Sequence, residues 1–122
     1  MRYVTKIPQV LLVPAFLGAG GQKLAATDQM VEEFDRYGYP QWMRAFTGAV
    51  EVTGALGMAT GFFRPAVTPL AALLLAATMT GALATHIRLG DPAKNLAPPA
   101  LLLALSAAVL AGSNAGRGSS GP

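Results

Sequence analysis

Between Arg44 and Arg64 a single charged side chain, Glu51, interrupts a run of apolar and small residues. In a helix it stands about ten residues, or about 15 Å, beyond Gln41. That is near mid-bilayer, where a carboxylate is costly and marks a functional site by default. Its helical face carries Thr47 and Gly48 one turn before, Gly54 and Ala55 one turn after, and Met58 two turns after. Small residues let another helix approach closely, so Glu51 is expected to point into the protein and away from lipid. Desolvated and without a cation beside it, the group would be held neutral and able to donate a proton. Three chemistries are open to it. It can act as general acid or base on a lipophilic substrate, or anchor a quinone-type head group by a hydrogen bond. It can also form a protonated helix-to-helix bond with Thr78, Thr80 or Ser106, which fall at similar depth.

Two other polar residues accompany it. Lys23 closes an apolar run and reads as an interfacial anchor, or as a counter-ion bending inward toward Glu51. His86 is the one histidine, and so the one side chain whose ordinary pKa lies near neutrality; its position before Arg88 suits an interfacial cap or a proton relay. Lys23, His86, Gln22, Thr85 and Arg44 belong at the end of the molecule opposite the termini. Met43, Met58 and Met79 read as gap-filling core, and Gly57 with Gly61, a G-x-x-x-G spacing, as helix packing within the chain or self-association. The chain has no cysteine, which excludes disulfides, thiolate metal sites, iron–sulfur clusters and Cys nucleophiles. One histidine makes no multi-histidine metal centre, and no phosphate loop or nucleophile elbow is present. Neither a metal nor a bound cofactor is expected.

Such residues need long apolar elements to hold them. The 122 residues are 52% hydrophobic and only 12% charged, with a mean hydropathy of +0.44; soluble domains are about one quarter charged. Nine basic and six acidic residues give a net charge of +3. The basic residues are scattered, so nucleic acid is not an expected partner. Crossing a hydrocarbon core of about 30 Å takes about 20 helical residues, and four stretches qualify. Residues 7–22, 65–85 and 95–116 carry no charge, and residues 45–63 carry only Glu51. The spacing predicts membrane helices over about 7–24, 43–63, 66–87 and 96–112 in one domain, 1–112, with a disordered tail over 113–122. Arg2, Lys6 and residues 10–20 also have the order of a signal peptide, but Gly20-Gly21-Gln22-Lys23 makes a poor cleavage site. Pro65 and Pro69, and Pro98 and Pro99, are placed in first helical turns, where no intrahelical donor is lost. Over residues 27–39, Met30, Val31, Phe34 and Tyr37 recur with helical spacing. They predict a short amphipathic interfacial helix, followed by an aromatic belt of Tyr37, Tyr39 and Trp42. Four crossings place both termini on one side, with four basic residues against five on the other; since the five acidic residues outside the helices all lie on the far side, the termini are expected to be cytoplasmic.

Gly20-Gly21-Gln22-Lys23-Leu24, then Tyr37-Gly38-Tyr39-Pro40, then Gly48-Ala49-Val50-Glu51-Val52, and later Thr85-His86-Ile87-Arg88 with Gly90-Asp91-Pro92, follow one another in an order that resembles the DoxX-like family of small bacterial membrane proteins. The resemblance covers residues 4 to 112. It implies an all-α integral membrane four-helix bundle in the bacterial inner membrane and a frequent association with oxidoreductase systems, in particular sulfur and quinone chemistry; it implies no agreed catalytic activity for most members. The expectation is therefore a membrane component of an oxidoreductase or quinone-linked system, holding a hydrophobic ligand around Glu51 with Thr47, Lys23, Thr78, Thr80, His86 and Ser106. A stand-alone acid/base enzyme (isomerase, cyclase or hydrolase) using Glu51, and a non-catalytic scaffold, are the alternatives. The expected partners are the lipid bilayer, a quinone or other lipophilic small molecule, and an oxidoreductase partner or a second copy of the chain.

Overall fold

The computed structural model describes the backbone of residues 2–119 and the side chains of residues 6–113. The described residues form helices and turns and no strand. The helices are α1 (Arg2–Leu24), α2 (Asp28–Tyr37), α3 (Gln41–Thr60), α4 (Thr68–Arg88) and α5 (Ala93–Ser119), with a 3₁₀ turn, Pro65–Val67, leading into α4. The described residues are all-helical as expected, and the helix bounds differ from the expected 7–24, 43–63, 66–87 and 96–112. Pro98 and Pro99 lie inside α5 and not in its first turn, because the helix starts at Ala93, just after Pro92. The tail expected to be disordered over 113–122 is helical in its backbone as far as Ser119, where α5 ends, and residues 120–122 lie outside the described residues.

Local chemistry sets the breaks. The Thr27 hydroxyl accepts from the Met30 amide at the start of α2, an N-cap bond. Gly38 ends α2 with φ +82°, and the Tyr39 amide then reaches the Phe34 carbonyl. Gly90, at φ +71°, ends α4 in the same way, and the Asp91 amide bonds the His86 carbonyl. Both are left-handed closures that suit glycine. The second one returns Asp91 to the side chain of His86.

The four long helices pack as neighbours in a closed cycle: α1 on α3, α3 on α4, α4 on α5 and α5 on α1. Small residues allow the close approaches. A Cβ placed at Gly20 would lie 2.8 Å from the Gly48 carbonyl, and one at Gly48 would lie 2.8 Å from the Gly20 carbonyl. Gly54 faces Leu75, Gly57 faces Ala71 and Gly61 faces Thr68 and Gln9, so both G-x-x-x-G glycines pack within the chain. Leu12, Phe16, Ala55, Met58, Leu75, Met79 and Val109 fill the centre. Large apolar side chains also cover the outside: Ile7, Val10 and Leu11 on α1, Trp42, Phe46 and Leu56 on α3, Leu70, Leu73 and Ile87 on α4, and Leu101 on α5 are all exposed. A molecule apolar both inside and out is built for lipid. By length and composition two helical segments, Pro65–Arg88 and Ala93–Ser113, are able to cross a membrane; a third is available if α1 and α2, bent by 82°, are counted together.

One polar bond ties α1 to α3 at the end away from α2. The Gln9 side-chain amide donates to the Met58 carbonyl at 2.8 Å, and Gln9 is buried. That carbonyl lies in the last turn of α3, where the Phe62 amide bonds Ala59 and not Met58. Gln9 therefore satisfies a helix-end acceptor, and Gln9→Leu is expected to cost about 1 kcal/mol or more, the cost of leaving a buried acceptor unsatisfied. Reversible unfolding in mixed detergent micelles checks this.

Candidate functional site

The site is built by two matching spacings on adjacent antiparallel helices: Gly20-x-x-Lys23 on α1 and Gly48-x-x-Glu51 on α3. In each, a glycine one turn before the charged residue lets the backbones touch. A Cβ at Gly20 would lie 3.0 Å from Glu51 Cβ, and one at Gly48 would lie 2.8 Å from Lys23 Cβ. The contact brings Lys23 Nζ to 2.8 Å from Glu51 Oε1, with side-chain exposures of 15% and 1%. Arg44 fastens the end of α1 by donating to the Lys23 carbonyl, and its Nε donates to Gln41 at 2.7 Å. Of the two readings of Lys23, the structure selects the counter-ion. Glu51 faces inward as its small-residue face predicts, but it meets an ammonium and not a hydroxyl.

The three hydroxyls expected to bond Glu51 do not reach it. Thr78 donates to the Leu74 carbonyl, Thr80 to Ala76 and Ser106 to Leu102, each at 2.8 Å. A helical Ser or Thr satisfies itself on the carbonyl one turn back, and this local bond wins over a bond across the bundle. Thr80 is exposed and Ser106 wholly buried, and neither borders the cleft beside Glu51.

That cleft measures about 930 Å³ and runs between α2, α3, α4 and α5. Glu51, Lys23, Thr47 and Thr78 line one part, with Leu74, Met43 and Leu102 among the apolar walls; His86, Tyr37, Tyr39 and Thr85 line another. Among the described residues no group of three or more His, Asp or Glu side chains is placed to hold a metal ion.

At the α2 end of the cleft lies a polar cluster that no local spacing announces. Arg36 bonds both oxygens of Asp91, at 2.8 and 3.1 Å, and also Glu33 at 3.1 Å. Asp91 Oδ2 lies 2.6 Å from His86 Nδ1. Tyr37 donates to Glu33 at 2.9 Å, Tyr39 shares a hydrogen bond with Thr85 at 2.8 Å, and Arg88 donates to the Tyr37 carbonyl. His86 is thus a partner of Asp91 and not a free interfacial cap. Within α2 the spacing of Glu33, Arg36 and Tyr37 is legible as one helical face; the Arg36–Asp91 pair, 55 residues apart in the chain, is not.

The Arg36 guanidinium, and after it His86, hold the Asp91 carboxyl well below its usual range. Burial works to raise Glu33, but the bonds from Arg36 and Tyr37 outweigh it and leave Glu33 lowered. Burial and then the Glu33 carboxylate push the Tyr37 hydroxyl up. A carboxyl lowered on folding contributes stability above its unfolded value, and that contribution is lost as the pH falls through the folded one. Anchoring of α2 is therefore expected to persist from neutrality to about pH 4 and to weaken only below it. Asp91→Asn should release α2 at pH 7. Amide hydrogen exchange is expected to quicken at least about fivefold across α2 in this variant while α3 and α4 keep their protection; equal exchange in both proteins would show that the pair does not hold α2.

An all-helical membrane protein, with a buried ion pair in the wall of an apolar cleft, is the class that this fold and site define. The chain belongs to the DoxX-like family, whose model matches residues 7–109. It is similar to the uncharacterised protein YdgD of Bacillus subtilis (strain 168), with 32% identity over 79 residues, covering 65% of this chain and 69% of that protein. No solved structure matches it.

Proposed function

We propose that the cleft binds a lipophilic small molecule with a polar head group of the quinone type, and that the protein serves as the membrane component of an oxidoreductase or quinone-linked system. On this reading α1, α3, α4 and α5 cross the bacterial inner membrane as a four-helix bundle, α2 lies at the interface, and the termini are cytoplasmic. The observation that carries the reading is the Lys23–Glu51 pair in the wall of an apolar cleft of about 930 Å³. Clefts of about 300–1,000 Å³ with apolar walls and a few convergent polar groups are the usual sites of small ligands. Lys23 supplies donors for a carbonyl, and the Glu51 carboxylate holds the ammonium in place. The exposed apolar side chains on all four long helices support the four crossings. The family resemblance supports the oxidoreductase link.

Gly81 supplies the test, since it lines the cleft and a Cβ there meets nothing within 4 Å. Gly81→Trp therefore fills the space without displacing backbone. Wild-type protein in lipid nanodiscs is expected to bind decylubiquinone saturably, and Gly81→Trp to weaken binding at least about tenfold, or 1.4 kcal/mol. Uptake that rises linearly with lipid and is the same in both proteins would overturn the proposal. Native mass spectrometry of gently solubilised wild type beside Glu51→Gln then tests whether a small molecule or an oxidoreductase partner co-purifies through this site.

A further inference from the structure

The polar cluster at the α2 end does more than fasten a helix. Asp91 is already engaged by Arg36 through both oxygens, yet Oδ2 also lies 2.6 Å from His86 Nδ1. A carboxylate paired with a guanidinium accepts hydrogen bonds and donates none, so Nδ1 carries the proton. In the neutral ring Nε2 is then a bare acceptor. The His86 side chain lines the cleft and is 13% exposed, and Tyr37 packs edge-on against its ring at 5.6 Å between centroids. Among the described residues, the hydrogen bonds of the His86 ring run through Nδ1 only. Its orientation is also over-determined. The Gly90 closure bonds the Asp91 amide to the His86 carbonyl, while Arg36 on α2 fixes the Asp91 carboxylate. An imidazole held by a carboxylate on one nitrogen, in the wall of a cavity and with no hydrogen bond on the other nitrogen among the described residues, has the arrangement of a general base.

We propose that His86 is the proton-accepting residue of the cleft, that Asp91 and Arg36 are its positioning residues, and that the ligand carries a weakly acidic hydroxyl of the phenol or enol type on an apolar body. This rests on the reading of the cleft as a ligand site; the reduced form of a quinone head group belongs to the same chemical class. In the step, the ligand O–H bond breaks and its proton bonds to Nε2. The electron pair stays on the ligand oxygen, whose negative charge balances the imidazolium, while Asp91, paired with Arg36, keeps its hydrogen bond to Nδ1. No further reactant is required. A ligand with only carbonyl oxygens offers Nε2 no donor, which makes the hydroxyl the distinguishing feature.

His86 is the chain's one histidine, so ¹⁵N-histidine labelling of the full chain in nanodiscs reports a single ring. The wild type is expected to show the tautomer protonated at Nδ1, and Asp91→Asn to shift toward the one protonated at Nε2. A helix that merely packs through His86 would show no such change. Addition of 4-heptyl-7-hydroxycoumarin, a phenol-type probe on an apolar chain, should move the Nε2 resonance saturably and in step with binding. Gly81→Trp should suppress both, and His86→Phe should weaken probe binding roughly three- to tenfold. Two results would overturn the role of His86 and leave the cleft standing: an Nε2-protonated ring in the wild type, or an Nε2 resonance that stays in place while the probe binds saturably. Failure of both the coumarin and decylubiquinone to bind saturably would overturn the cleft reading, and the hydroxyl ligand with it.

Discussion

Lys23→Met is expected to lower the unfolding free energy by about 3–5 kcal/mol, the largest effect of any single substitution proposed for this protein. The reason is the asymmetry of a buried ion pair. Bringing both charges together out of water returns little net stability, but removing one partner strands the other. Glu51 is the partner that cannot escape, with 1% exposure at the middle of α3. Lys23 sits at the last turn of α1 with 15% exposure, and its four-carbon stem reaches water when the carboxylate is gone. Glu51→Leu should therefore cost clearly less than Lys23→Met. The double variant, with an apolar pair of similar volume, should return to within about 1 kcal/mol of wild type. Steric trapping in bicelles measures all three. If Lys23→Met cost less than about 1 kcal/mol, or if the two single variants were equal, the pair would be behaving as a solvated surface contact.

The second large effect belongs to the glycine that makes the pair possible. Gly48→Val is expected to cost about 1–3 kcal/mol from overpacking, because its Cβ would lie 2.8 Å from the Gly20 carbonyl and 2.8 Å from Lys23 Cβ. A backbone oxygen cannot swing away, so α1 and α3 must separate, and the Lys23–Glu51 distance grows with them. Weaker decylubiquinone binding should accompany the loss of stability. Gly21→Val is the control. It lies one residue beyond Gly20 on α1, a Cβ there meets nothing within 4 Å, and its effect should stay within about 0.5 kcal/mol, as for surface substitutions generally. Comparable losses at Gly48 and Gly21 would mean that helix propensity, and not the α1–α3 contact, governs both positions.

How much of this was legible beforehand differs between elements. The helices, the inward direction of Glu51 and the polar end carrying Lys23 and His86 follow from periodicity and charge spacing, which act over one or two turns. The helix ends were less accurate: α5 begins at Ala93, so that Pro98 and Pro99 fall inside it. The partner of Glu51 was open in the sequence, because hydroxyls on two later helices stood at similar depth. The bonds of Thr78, Thr80 and Ser106 to their own helices removed that choice. Gln9 passed unnoticed as one polar residue in an uncharged stretch, although its amide joins α1 to α3.

By itself, then, the sequence determined an apolar all-helical chain of the DoxX-like type with one carboxylate turned inward, because composition and a period near 3.6 residues are properties of each segment alone. The tertiary structure decided which groups meet: Lys23 with Glu51 through the Gly20–Gly48 contact, and Arg36 with Asp91 and His86 across the α2 end of the cleft. Those pairings depend on how far each helix is rotated and how closely two backbones approach. Both are set jointly by all the packed neighbours and leave no periodic mark in the chain.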